Sequence, residues 1–436
     1  MKTPITVVGG GLAGAEAAWQ CARFGVPVEL YEMRPGTMTP AHRTGALAEL
    51  VCSNSFKSMV DGTAPALLKE EMRCLGSLTL RAAAAARVPA GGALAVDRVS
   101  FAEEVTAALE AEAGVNVTRV EFKEWPPAPA IVATGPLTSE AMAGALAAAV
   151  GRGNLYFYDA LAPIVSAESV DMDKTFEASR YDKGDGAYAN CPLTATEYRA
   201  FTRALTAAST ASLRDFEKKL FFEGCVPVEE LARRGEDTLR FGPMKPVGLK
   251  DPRTGRRPYA VLQLRPEDLG REMFGLVGFQ TRLKQREQRR VFRMIPALAE
   301  AEFFRYGAAH RNTYIYSPTA LDVTTELSSR RGVFVAGQLT GVEGYMESAA
   351  TGIVAGINAA RFARGEPLVY PPPETATGAL LRYISTAPAA TFAPMNVNFG
   401  LFLPAGGKGK RDRQRRVVAR AREAFTKWLA NVGEEF

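Results

Sequence analysis

Three glycines, Gly9, Gly11 and Gly14, stand in the spacing G-x-G-x-x-G between an apolar run and an alanine-rich stretch. That spacing suits a dinucleotide. Gly9 permits the tight turn, Gly11 lets backbone approach a pyrophosphate, and Gly14 allows close packing of helix on strand. With Gly10, Leu12 and Ala13 they form a loop opening a helix, whose free N–H groups and positive dipole end attract phosphate. Glu32 closes the next apolar run, where a carboxylate would accept the hydroxyls of an adenosine ribose. The bland alternative is a glycine-rich turn without ligand. Strand, helix and terminal acid together weigh against it.

Thiols are the second candidate chemistry. The five cysteines (Cys21, Cys52, Cys74, Cys191 and Cys225) are odd in number and scattered, without C-x-x-C or finger spacing. A disulfide framework and a structural zinc site are therefore not expected, and a reducing cytoplasm is the expected home. Cys52 lies in the polar stretch Glu49-Leu-Val-Cys-Ser-Asn-Ser55, and Cys225 in Phe222-Glu-Gly-Cys-Val-Pro-Val-Glu229. Neither stretch reads as an apolar stripe, so each cysteine is a candidate reactive thiol, with plain packing as the alternative. With two histidines, His42 and His310, no histidine-rich metal site is expected.

The elements that must position these groups follow from periodicity. Ile5 to Val8 predicts a strand, Ala15 to Phe24 a helix and Val28 to Glu32 a second strand, a βαβ unit. Helices are predicted over Thr63–Leu75, Arg98–Glu112 and Ser348–Ala363, and buried strands at Ala130–Gly135 and Gly332–Gly337. Residues 172–312 are richer in charged and aromatic side chains and are punctuated at Gly242-Pro-Met-Lys-Pro246. They read as an inserted α+β domain, between dinucleotide-fold parts at 1–171 and 313–436. The expected class is thus α/β with a Rossmann-like dinucleotide-binding domain and an insertion. Val335-Ala-Gly337, then Gly341-Val-Glu-Gly-Tyr345, resembles the second FAD contact of flavin oxidoreductases. Ala133-Thr-Gly135 resembles their intermediate strand, and this resemblance implies a glutathione-reductase-type FAD-binding domain.

Bulk composition excludes other classes. The 436 residues are 47% hydrophobic and 23% charged, with a net charge of +6, the signature of an ordinary water-soluble chain that permits a polyanionic partner. No apolar stretch is long enough for a bilayer, and no secretory leader is recognisable, so no membrane association is expected. Basic runs at Arg282–Arg290 and Lys408–Arg422 are either solvated helix faces or phosphate contacts.

The residues carry a specific resemblance. Val7–Gly14, Met38–His42, Leu50–Ser55, Val88–Asp97, Ala133–Ser139, Asn190–Leu193, Cys225–Gly235, Phe241–Gly248, Val277–Thr281, His310–Tyr314 and Gly341–Gly352 resemble the folate- and FAD-dependent tRNA uracil-5 methyltransferases, the TrmFO family. The family's Leu-Lys-Trp-Gly stretch reads Leu283-Lys-Gln-Arg286 here. The resemblance implies methylation of a uridine, with the T loop of tRNA as the expected target and ribosomal RNA as an alternative. It implies FAD as cofactor, and methylenetetrahydrofolate and NAD(P)H as co-substrates. Cys225 would be the thiolate that adds to uracil C6, and Cys52 the second thiol. Tyr345 and His310 would neighbour the stacked flavin and folate, each with a plain structural role as alternative. A monomer or weak dimer is expected. A soluble FAD/dithiol oxidoreductase without RNA substrate is the competing activity, and a non-catalytic RNA-binding flavoprotein a third reading.

Overall fold

Short apolar runs bury on both faces only if helices cover both sides of a parallel sheet. Ile5–Val8, Ala130–Val132 and the last four residues of Arg330–Val335 do this in the computed structural model, which describes residues 3–150, 155–182, 188–211, 226–268, 270–388 and 392–432, while Val28–Tyr31 alternates and Val115–Thr118 at the sheet edge stays partly exposed. They form a six-stranded sheet with Glu326–Leu327, in the order 326–327, 330–335, 130–132, 5–8, 28–31, 115–118. The four pairings inside this order are parallel, and only the edge pair of Glu326–Leu327 with Arg330–Val335 is antiparallel. Strand Ile5–Val8 has neighbours that follow it by crossovers on either side. Its C-terminal end is therefore the topological switch point at which such sheets bind ligands.

Two helices cover one face of that strand. Helix Leu12–Arg23 starts directly after the glycine loop, and helix Tyr345–Arg364 lies across it. Their approach is set by small residues. A Cβ on Gly352 would sit 2.2 Å from the Ala13 carbonyl oxygen, and one on Gly356 would sit 2.6 Å from that of Ala17. Cys21 donates its thiol to the Gly356 carbonyl at 3.3 Å in this seam. The close approach also carries the first turn of the second helix to the glycine loop. That helix begins three residues before the expected Ser348, because the chain turns at Gly344 (φ 116°) and Tyr345 already has helical backbone.

The second unit is antiparallel throughout. Its sheet runs Phe176–Glu177, Ala189–Leu193, Ala260–Pro266, Met273–Leu276, Ile164–Ser166, Phe303–Arg305. Helices Ala195–Ala207 and Gln285–Phe292 pack on it over Leu193, Phe201, Leu262, Phe279 and Phe292. The sheet takes in Ile164–Ser166, which lies ahead of residue 172. A two-stranded ribbon, Leu155–Ala160 with Ala309–Tyr314, joins the units. A small sheet of Ser55–Ser58, Ala93–Val96 and Arg87–Val88 was not anticipated from the sequence. Among the described residues no helix is long and apolar enough to cross a membrane.

Candidate functional site

The glycine loop opens onto a cleft of about 1030 Å³. Gly9, Gly11, Leu12, Ala13, Glu32, Thr134, Gly135, Gly337 and Tyr345 all line it, so segments far apart in sequence converge as expected. Gly9 has φ 103°, a conformation L side chains avoid, and a Cβ on Gly14 would lie 1.8 Å from the Gly9 carbonyl oxygen. Gly11 is different. Its backbone is ordinary (φ −73°), and a Cβ there would meet nothing within 4 Å. Space is what Gly11 keeps open, directly over the first turn of helix Leu12–Arg23. This helix start has no side-chain cap, so its leading N–H groups are available to an anion.

Glu32 reaches the loop from the neighbouring strand. Its Oε2 accepts the Gly10 N–H at 2.9 Å and Arg34 Nη2–H at 3.1 Å. Its Oε1 accepts the Arg34 backbone N–H at 2.9 Å and Nε–H at 2.8 Å. Burial alone would raise this carboxyl, but the hydrogen bonds and charge of Arg34 hold it below the usual range. Four donors satisfy all the lone-pair sites of a carboxylate. A ribose diol entering here would share or displace the Arg34 guanidinium, a point the sequence did not suggest. Arg34 is itself buried and also pairs with Glu49 at 3.2 Å.

His42, on the same cleft, holds Thr39 Oγ1 at 2.6 Å through Nδ1. Burial first, and the nearby Arg34 charge second, push its pKa down to about 4. Arg34, His42 and Glu49 were not singled out by sequence reasoning. The proximity of Arg34 to Glu32 was the available signal for one of them.

Tyr345 joins this cleft to the thiol loop. Its hydroxyl oxygen accepts the N–H groups of Cys52 at 2.8 Å and Ser53 at 3.1 Å. Burial, then the adjacent Cys52, push the phenol pKa up, which keeps it neutral. Val51 lines the cleft, whereas Cys52 and Ser53 line a second cavity against the antiparallel unit. The Cys52 carbonyl is held by Arg98 Nη2 at 3.2 Å and Arg305 Nη2 at 3.1 Å.

The other thiols divide by burial. Cys21 and Cys191 are fully buried, and desolvation drives both thiol pKa values up, so they are packing residues. Cys74 is exposed. Cys225 lies outside the described residues. Just beyond it, Val228 donates its N–H to the Gln280 carbonyl at 2.7 Å, and Gln280 lines the cavity of Cys52. His310 belongs to the ribbon strand Ala309–Tyr314, paired with Asp159, and its side chain also lies outside the description. No group of three or more metal-ligating side chains occurs among the described residues.

The basic runs differ in how far they are neutralised. Arg282 pairs with Glu230, and Arg290 with Glu287 at 2.5 Å. On helix Gly409–Val432 the side chains of Arg411, Arg413 and Arg415 are exposed, while Arg422 is tied to Asp61 and Glu70 at 2.5 and 2.8 Å.

The sequence model of the family described as glucose inhibited division protein A matches residues 4–367. A methylenetetrahydrofolate–tRNA-(uracil-5-)-methyltransferase, TrmFO, of Desulforudis audaxviator is 57% identical over 100% of both chains. The same-named protein of Geobacter sulfurreducens is 56% identical over 99% of this chain and 100% of its own. Among solved structures, Aquifex aeolicus GidA superposes with a TM-score of 0.70 at 17% identity, covering 100% of this chain and 75% of that one. At that identity the likeness speaks for the fold.

Proposed function

The chain belongs to the glucose inhibited division protein A family and to its TrmFO members, and on that premise we propose that it methylates carbon 5 of a uridine in tRNA with a folate-borne carbon. The observation that carries this reading is the identity of 57% along the entire chain with a protein named for that reaction. The cleft supports FAD as the cofactor. The Gly9–Gly14 loop and helix start would hold the pyrophosphate, Glu32 the ribose end, and Gly337 and Tyr345 the flavin end. When bound, FAD supplies the hydride that converts the transferred carbon to a methyl group and is reloaded by NAD(P)H.

The remaining chemistry falls to the protein's thiols. Uracil C5 is a weak nucleophile until a thiolate adds to C6, and Cys225 is assigned that addition. C5 then bonds to the folate methylene carbon. Cys52 takes the C5 proton as the folate nitrogen leaves, producing an exocyclic methylene. That carbon accepts a hydride while the C6–S bond breaks and Cys225 is released as thiolate. The exposed cations of helix Gly409–Val432 suit an RNA backbone, and the target base would be swung out to reach the thiols. The T-loop uridine is the proposed position.

Radiolabelled methylenetetrahydrofolate should deliver its carbon to a T-loop transcript, and labelled S-adenosylmethionine should not; the reverse pattern overturns the reading. Ribosomal RNA in the same assay tests the alternative substrate. A 5-fluorouracil transcript should trap a covalent adduct, because fluorine cannot leave as a proton. Peptide mapping to Cys225 supports the role assignment, and mapping to Cys52 reverses it.

A further inference from the structure

The cavity behind Cys52, about 530 Å³ in size, is lined by Arg98, Arg265 and Arg305 against a single carboxylate, Glu267. Arg98 donates through Nε and Nη2 to Glu267 Oε2 at 2.9 and 2.8 Å and through Nη1 to the Leu50 carbonyl at 2.9 Å. Arg305 is spent on the carbonyls of Val51 and Cys52. Arg265 is the least committed, with Ser53 Oγ at 3.4 Å and Glu267 Oε1 at 3.3 Å as its hydrogen-bond partners. The Nε atoms of both Arg265 and Arg305 are buried and, among the described residues, have no hydrogen-bond partner. Orphaned buried donors on charged groups are costly, and each calls for a partner such as a water, an ion or a ligand oxygen.

We infer that this cavity takes an oxyanion, and that the oxyanion is a phosphate of the RNA strand carrying the target base; the RNA assignment rests on the methyltransferase reading above. Three guanidiniums on one carboxylate leave the cavity short of negative charge. Burial alone would raise the Glu267 carboxyl, but Arg98, Arg265 and Arg305 hold it below its usual range, so it stays ionised and already counts as the one anion present. Burial, then the charge of Arg98, pull Arg305 down to about 10, and it remains a cation at neutral pH. An entering oxyanion would offset this crowding, and the planar guanidinium fork matches phosphate oxygens two at a time. The glycine-loop anion site lies in the other cleft, whose lining shares none of these four residues. A base delivered to the Cys52 loop brings its own backbone phosphates with it, because flipping turns the nucleotide about that backbone.

Arg265→Gln in the full-length holoenzyme is the test, with Arg265→Lys beside it and flavin absorbance and melting temperature as controls of folding. The readouts are tRNA-transcript affinity as a function of salt, the separate KM values for tRNA and folate, and titration with inorganic phosphate. Arg265→Gln should weaken RNA binding several-fold, flatten the plot of log Kd against log salt by about one unit, raise the tRNA KM alone and lose phosphate binding. Arg265→Lys should keep the salt slope while binding less tightly, since it keeps the charge and loses the fork. An unchanged RNA affinity and slope in Arg265→Gln overturns the inference. A raised folate KM with RNA binding intact also overturns the RNA assignment, since the anion would then be the folate carboxylate. RNA and phosphate binding are read without turnover, so a wild-type protein inactive with folate would sink the methyltransferase reading while leaving this measurement interpretable.

Discussion

The Tyr345 hydroxyl oxygen accepts the backbone N–H of Cys52 at 2.8 Å, across 293 positions of sequence. With the Ser53 N–H at 3.1 Å, one side chain at the start of a helix thus holds the thiol loop from one side, while Arg98 and Arg305 hold the Cys52 carbonyl from the other. The Tyr345 ring lines the cofactor cleft while its oxygen holds the neighbouring loop.

Tyr345→Phe should remove that acceptor and leave two partly buried N–H groups unpaired, costing about 1–3 kcal/mol. A lowered melting temperature with faster alkylation of Cys52, mapped by peptide mass, is the expected result. Unchanged stability and unchanged Cys52 alkylation would show that the loop is held by other contacts.

Gly11→Val should fold and yet bind no flavin. Its φ of −73° suits a side chain, and a Cβ there would stand in open space, so the fold loses at most about 1 kcal/mol. The added methyls would fill the space that the proposed pyrophosphate needs over the helix start. Visible absorbance of the purified protein reads flavin, and circular dichroism reads the fold. Gly14→Ala should instead fail to fold, because its Cβ would lie 1.8 Å from the Gly9 carbonyl oxygen.

His42 makes stability depend on acidity. Its pKa is lowered from 6.5 to about 4, so between those values the unfolded chain binds a proton that the folded protein does not. The stability tied to the neutral ring is complete above pH 6.5 and is lost as pH falls through about 4. His42→Asn should flatten the acid limb of the stability curve by an amount on the order of 2 kcal/mol. Urea unfolding at a series of pH values measures it, and parallel curves for the two proteins would contradict the assignment.

Replacing Arg411, Arg413 and Arg415 together with Gln should weaken tRNA binding and reduce its salt dependence, by about 0.7–0.9 units for each phosphate left without its cation. Helix content should not change, since these side chains are exposed. A salt slope equal to that of the unaltered protein would mark this helix face as merely solvated.

Much of the cofactor cleft was legible in the chain. Gly9 to Gly14, Glu32, Ala133 to Gly135 and Gly337 each sit where an apolar run ends, and a strand end in a parallel sheet is where a ligand is met. Local periodicity encodes those ends. The alanine- and glycine-rich faces that press helix Tyr345–Arg364 onto helix Leu12–Arg23 were equally visible as small residues, although their partner was not.

Other features arise only from pairing distant segments. The hold of Arg34 on both oxygens of Glu32 depends on a side-chain path through the cleft wall. The entry of Ile164–Ser166 into the antiparallel sheet depends on pairing with Met273–Leu276 and Phe303–Arg305, which no local pattern specifies. Arg98, Arg265, Glu267 and Arg305 come from three separate stretches, each of which reads locally as a common surface charge. Sequence determined which residues could bind phosphate or act as a thiol, because those are properties of single side chains and their immediate turn. Only the tertiary structure decided that Tyr345 reaches Cys52 and that Arg98 and Arg265 share the Glu267 carboxylate with Arg305 lining the same cavity, because such contacts join segments far apart in the chain.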